Sequence, residues 1–168
     1  MKLTILAVLT VFLIACDAKV KVEEAKISEK KESSKIKNGI VIKEEGVKVE
    51  QAFLLDHEGN LVSDKNLTKL NQLLRVRLIL GPGFTTKDGK VYLGGSEKVV
   101  TSEGDVVLDE KDLFAGTEGL TPENAKIITM SVQLTSVVKL MDYYEVQFRI
   151  WDKNSPNAVS GSYRFNIE

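Results

Sequence analysis

Few residues in this 168-residue chain have the chemistry of a reaction centre. There is one histidine, His57, in the stretch LLDHEGN, and one cysteine, Cys16. His57 stands between Asp56 and Glu58, so an imidazole oriented by a carboxylate and acting as general base is the catalytic arrangement these types allow. A hydrolase built on His57 needs a nucleophile from elsewhere. The chain has no G-x-S-x-G elbow, and Gly94-Gly95-Ser96 reads as a loop in the wrong context. The simpler reading of His57 is a solvated turn residue, which makes the chain a non-enzyme.

Metal chemistry is constrained in the same way. One histidine and one cysteine far apart cannot form the clustered nitrogen and sulfur ligands that transition metals require. Calcium asks only for oxygen. With Asp56 as first ligand, the turn glycine of an EF-hand loop falls at Leu61, so that pattern fails. Asp152 and Asn154, in WDKNSPN, are weak calcium candidates for a calcium-dependent binding module; the competing reading is an Asx turn in which they cap their own backbone. Asp142 lies at the other end of the same strand, roughly 30 Å away at the usual rise, and cannot share an ion with Asp152. The glycine-rich stretch GPGFTTKDGKVYLGG lacks the G-K-[ST] ending of a phosphate loop and reads as hairpin turns. No cofactor is implied.

A binding surface is the remaining kind of site. In YYEVQFRIW, the period of two sends Tyr143, Arg149 and Trp151 to the side opposite Tyr144, Val146, Phe148 and Ile150. Outward aromatics with an arginine on the same side suit a protein or glycan partner. The alternative is that Tyr143 and Trp151 cover the two ends of the core.

The elements that must position these residues are strands. LLRVRLIL, IITMSVQLT, YYEVQFRIW and AVSGSYRFNIE alternate cleanly, with Leu74, Val76, Leu78 and Leu80, Ile128, Met130, Val132 and Leu134, and Tyr163, Phe165 and Ile167 predicted inward. VKVEQAFLLD predicts a strand with Val47, Val49, Phe53 and Leu55 on one side. Residues 63–72 are ambiguous, with Ser63 or Asp64 able to cap a short helix. Asp88-Gly89 predicts a hairpin turn, SEGD a turn between KVVT and VVLD, and Thr121-Pro122-Glu123 a brief helical turn. Seven or eight short strands with regular turn signals predict an all-β, antiparallel β-sandwich, immunoglobulin-like by architecture although the Cys–Trp–Cys hallmark is absent.

Three zones of composition divide the chain. A net charge of −1 supplies no basic field for nucleic acid. Residues 47–168 are mixed and form the sandwich. Residues 16–46 hold eight lysines, seven acids and no aromatic, and are expected to be a charged flexible tether with a reach of about 30 Å. Residues 1–15 begin with Met1-Lys2 and continue as an apolar run, Leu3 to Ala15, shorter than the roughly 20 residues of a membrane span and suited to a signal peptide.

At the end of that run, Leu13-Ile14-Ala15-Cys16 resembles the lipobox of bacterial membrane lipoproteins. The resemblance covers residues 1–16 only. It implies cleavage before Cys16, diacylglycerol on its sulfur and usually an acylated amino terminus. Two or three chains make a durable anchor, since each buried CH₂ contributes about 0.8 kcal/mol. The implied partner is the membrane, and the implied location is a bacterial cell membrane or outer membrane, with the domain periplasmic or on the cell surface. Asp17 resembles an inner-membrane retention signal in one sorting scheme and a surface-export signal in another. With its only cysteine so used, the domain has no disulfide and must rest on an apolar core.

Overall fold

Strict alternation of apolar and polar residues forces one face of each extended segment away from water. In the computed structural model, which describes residues 35–136 and 140–168, those faces meet between two sheets. The strands are β1 (Val41–Glu45), β2 (Val49–Leu55), β3 (Leu67–Thr68), β4 (Leu74–Leu80), β5 (Thr86–Lys87), β6 (Lys90–Val91), β7 (Leu93–Thr101), β8 (Val106–Glu110), β9 (Ile127–Val132), β10 (Tyr144–Asp152) and β11 (Ala158–Ile167). The large sheet has the order β1-β11-β10-β7-β8, with β3 adding a short parallel contact to the end of β11. The small sheet has the order β2-β4-β9, and β5 and β6 form a separate hairpin. Both main sheets are antiparallel along these paths, and the fold is an all-β sandwich.

One continuous core joins them. Leu54, Leu74, Val76, Leu78, Ile128, Met130 and Val132 come from the small sheet, and Leu93, Val99, Val146, Phe148, Ile150, Tyr163 and Phe165 from the large one. The four cleanly alternating segments bury the predicted sides, although Ile167 is only half-buried. Asp88 and Gly89 take left-handed backbone between β5 and β6, as the hairpin turn requires. Pro122 precedes a single 3₁₀ turn, Asn124–Lys126, and the Thr121 hydroxyl accepts the Asn124 N–H at 3.2 Å.

Three expectations are corrected. The first is the tether boundary. Residues 1–34, Cys16 among them, lie outside the described residues, but β1 belongs to the sandwich, pairing with β11 from Val41–Ser162 to Glu45–Ala158. Ile40 is buried and Ile42 packs on the core, while Lys43 is exposed. An edge strand needs only a few apolar residues on one side, and its charges deter edge-to-edge pairing, so it reads as tether by composition. The second is the register of β2. A bulge at Glu50 shifts the phase, so Ala52 and Leu54 face the core and Phe53 is half-buried. The third concerns residues 63–72, which form β3 and turns; left-handed backbone at Asn66 and Asn71 is incompatible with a continuing helix.

Two buried asparagines fasten the start of the domain. Asn38 Oδ1 accepts the Leu54 N–H at 2.9 Å, and Asn38 Nδ2 lies 3.1 Å from Val62 O, 3.2 Å from Ser63 O and 3.0 Å from Asn66 Oδ1. Asn66 Nδ2 returns a bond to Asn38 O and another to Arg164 O, both 2.8 Å. Both residues have positive φ, which asparagine tolerates better than most. Asn38→Ala leaves the buried Leu54 N–H without its acceptor. The expected loss is about 1–3 kcal/mol, read as a lower urea midpoint with an unchanged slope. An unshifted midpoint would show that this network contributes nothing net.

Glu97 is the reverse case. It projects inward from β7 between Gly95 and Val99, is 2% exposed, and its Oε1 has no hydrogen-bond partner among the described residues. The Tyr163 hydroxyl is likewise buried without a partner. Burial, reinforced by Glu110 opposite it on β8, pushes the Glu97 carboxyl up to about 7. An acid with a raised folded pKa is protonated more readily in the fold than in the unfolded chain. Its contribution is therefore favourable at low pH and is lost as pH rises from about 4.5 towards 7. Stability measured by denaturant between pH 5 and 8 should fall by up to about 3 kcal/mol, and Glu97→Gln should flatten that slope. An unaltered slope in the variant assigns the pH dependence to another group.

Candidate functional site on the outer face of the large sheet

The sequence places Tyr143, Arg149 and Trp151 on one side of one strand, and β10 sits centrally in its sheet, bonded to β7 on one edge and β11 on the other. Its inward residues are fixed by the core, so Glu145, Gln147, Arg149 and Trp151 project from the outer face. The neighbouring outward positions are small or polar. Cross-strand from Arg149 are Ser96 and Ser160; beside Gln147 are Lys98 and Ser162; beside Trp151 are Gly94 and Ala158.

Gly94 explains the posture of Trp151. A Cβ added to Gly94 would stand 2.0 Å from Trp151 Cε2, 2.3 Å from Cζ2 and 2.4 Å from Nε1. The indole therefore lies across the bare backbone of β7, half-buried, instead of covering an end of the core. Gly95 is covered on the inner side by Phe114, and Gly161 by Phe148. Gly94-Gly95-Ser96 thus lies in the first half of strand β7 and is not a loop. Interior strand glycine carries a cost unless something approaches closely, and here three aromatic rings do.

Most charges on this face are paired in place, Lys98 being the cation without an ion pair among the described residues. Arg149 meets Glu45 of β1 at 2.8 Å, and Lys43 meets the same carboxylate at 2.7 Å. The Lys43 and Arg149 hydrogen bonds hold the Glu45 carboxyl below its usual range. Arg164 meets Glu145 at 2.9 Å, and its guanidinium lies 4.3 Å from the centre of the Tyr143 ring, a cation–π contact. Gln147 donates to Glu145 at 3.0 Å. Gln147 and Arg164 lower the Glu145 carboxyl.

Tyr143 precedes β10 and Trp151 is near its end, so the three predicted residues do not form one cluster. Arg149 belongs with Trp151, and Tyr143 belongs with Arg164 and Glu145. Beside this second group, a groove of about 400 Å³ opens between the face and the 62–66 segment, lined by Asp64, Asn66, Glu145, Ser162 and Arg164. No local sequence pattern marks this groove, because Asp64 is brought to β11 by long-range contacts, the Asn38–Asn66 network and the β3–β11 pairing.

The other sequence candidates sit apart from this face. Asp152 is buried; its Oδ1 accepts the Asn154 N–H at 2.8 Å, and its Oδ2 accepts the Thr85 N–H at 2.6 Å and the Ser155 hydroxyl at 2.8 Å. Burial works against its charge, but these donors outweigh it and lower the carboxyl. Asp152 closes its own Asx turn and ties β10 to the segment before β5, while Asn154 serves through its backbone. Among the described residues no group of three or more histidine, cysteine or acidic side chains is placed to hold a metal. His57 is at an exposed turn with Nε2 3.8 Å from Glu58. Asp56, one of the two carboxylates flanking it, accepts the Glu58 and Asn60 N–H groups at 2.9 and 2.8 Å and is spent on the turn. Arg75 holds that turn through Asp56 O and His57 O.

No family model matches this chain, and no curated protein matches it. Among solved structures it is similar to the crystal structure of the C-terminal domain of Wzt, at 12% identity over 77% of this chain and 78% of that one, with a TM-score of 0.49.

The Gly94–Trp151 contact makes a direct prediction. Gly94→Ala must displace the indole, and overpacking of this kind costs about 1–3 kcal/mol. Trp151 is the only tryptophan, so its emission should shift to longer wavelength in that variant. Unchanged emission and stability would mean that the ring does not rest on Gly94.

Proposed function

We propose that this protein is a lipid-anchored lipoprotein of the bacterial cell envelope whose β-sandwich is a non-catalytic binding module, presenting the outer face of the large sheet to a glycan or protein partner. The anchor rests on the lipobox-like Leu13-Ile14-Ala15-Cys16 that follows a short apolar run. The binding role rests on Trp151, which lies flat on Gly94 with part of its surface still open to solvent. An aromatic ring held in one orientation loses little entropy when a partner stacks on it, which favours affinity.

The sandwich is read here as immunoglobulin-like. β2, β4 and β9 occupy the order of strands A, B and E, and β8, β7, β10 and β11 that of C′, C, F and G. β1 is an additional edge strand beside β11. The face formed by β10 and its neighbours is then a sheet surface and not the loop end that antibodies use.

A non-catalytic role is supported by the engagement of Asp56 in its turn, which leaves His57 without an orienting carboxylate on that side. The localisation is a bacterial cell membrane or outer membrane, with the domain periplasmic or on the surface.

Two measurements test this reading. Mass spectrometry of protein from its native host should find a chain beginning at Cys16 with acyl mass added, and Cys16→Ala should leave the membrane fraction or accumulate unprocessed. A free, unmodified Cys16 sulfur overturns the anchor. Cross-linking in intact cells should capture a partner that Trp151→Ala loses and His57→Ala retains; the opposite pattern would move the function to the histidine turn.

A further inference from the structure

Resting on that reading of the outer face, we infer that the partner is a neutral carbohydrate chain, lying along β10 from the groove beside Arg164 to Trp151. Three observations carry this.

The first is the strip between the two aromatic ends. Ser96, Ser160 and Ser162 are half-exposed in strands central to the large sheet, and their hydroxyls make no hydrogen bond among the described residues. Serine and glycine are poor choices for the open face of a sheet, where β-branched residues fit better. The cost at Gly94 is offset by Trp151, but nothing among the described residues covers the serines. With Gln147 they form a low, level row of hydroxyl and amide groups, able both to donate and to accept, as sugar hydroxyls do. The strip from Glu145 to Trp151 is about 20 Å long, a track for an extended chain.

The second is the charge. Both guanidiniums on the face already hold a carboxylate, Arg149 with Glu45 and Arg164 with Glu145, which leaves Lys98 as a single cation without an ion pair among the described residues, too few for a repeating anionic chain. An anionic polymer would have to displace those carboxylates or lie beside them. A neutral polyol needs neither, and the fixed ion pairs present oriented polar edges to it. A protein partner usually demands an apolar centre. Of the exposed large apolar residues, Val41 and Val106 belong to this face but stand on its edge strands, β1 and β8, away from the middle of the strip.

The third is the pairing of an aromatic plate with a polar groove. Trp151 offers a ring face at one end, suited to the apolar side of a sugar ring. At the other end, Asp64, Glu145, Ser162 and Arg164 line the groove of about 400 Å³, which has room for a sugar unit and polar groups to orient it.

The full chain in detergent, applied to an array of immobilised neutral and acidic glycans, tests the proposal. We expect binding to neutral members, insensitive to raising the salt from 0.05 to about 0.5 M because no net charge is exchanged. Soluble oligosaccharide from a bound member should shift the emission of the single tryptophan. Trp151→Ala should weaken binding at least tenfold. Ser160→Lys, which obstructs the strip without touching the core, should weaken it as much while leaving circular dichroism and thermal midpoint unchanged. Binding confined to acidic glycans, binding abolished by salt, or full binding by both variants overturns the proposal. An array without any bound glycan overturns it too; if Trp151→Ala then still loses a cross-linked protein in cells, the outer face remains the site and only the carbohydrate assignment fails.

Discussion

The two-residue period of β10 is the constraint on which both sides of this protein depend. Because the strand is hydrogen-bonded along both edges, it cannot rotate, and no residue of it can change face without breaking two ladders. Tyr144, Val146, Phe148 and Ile150 commit one face to the core, and burying each such side chain is worth roughly 1.5–3 kcal/mol. The same commitment fixes Glu145, Gln147, Arg149 and Trp151 outward at intervals of two residues. The outer face is therefore ordered by the core beneath it, and its side chains are held in register with those of β7 and β11 at no further expense.

Buried polar groups divide into two kinds. Asn38, Asn66 and Asp152 are enclosed with their donors or acceptors matched, and each joins segments distant in sequence. Among the described residues, Glu97 Oε1 and the Tyr163 hydroxyl are enclosed without hydrogen-bond partners. Leaving a buried polar atom unpaired costs about 1–3 kcal/mol. The first kind selects one arrangement of loops around the sandwich. The second carries a cost on the inner side of the large sheet, and it ties that cost to the protonation of a single carboxyl.

Much of the sandwich was legible in the sequence because burial on one face leaves a period of two. β4, β9, β10 and β11 could be read almost residue by residue. What escaped was structure whose cause lies elsewhere in the chain. β1 hid within a charged segment, since Ile40 and Ile42 alone do not announce a strand. The β2 bulge at Glu50 reversed a phase that local alternation could not reveal. Gly94 and Gly95 looked like a loop because the side chains that fill their places, Trp151 and Phe114, are supplied by other segments. The outward direction of Tyr143, Arg149 and Trp151 followed from alternation, but their separation into two ends did not. That depends on Glu45 reaching Arg149 from β1, and on Arg164 folding over Tyr143. The groove needed the Asn38–Asn66 pair, whose residues lie 28 positions apart and share no local pattern.

The position of Asn38 has a mechanical meaning. It precedes β1 in the chain, so tension entering from residues before 35 reaches its bonds to Leu54, Val62 and Asn66 before it reaches the ladder with β11. With the Ile36–Ala52 bridge, which lies nearer still to that end, these bonds take the load ahead of the edge strand. Resistance to pulling is governed by the rate of that first rupture and not by equilibrium stability. A domain fastened in this way can be tugged by its amino-terminal end while the face along β10 stays undeformed.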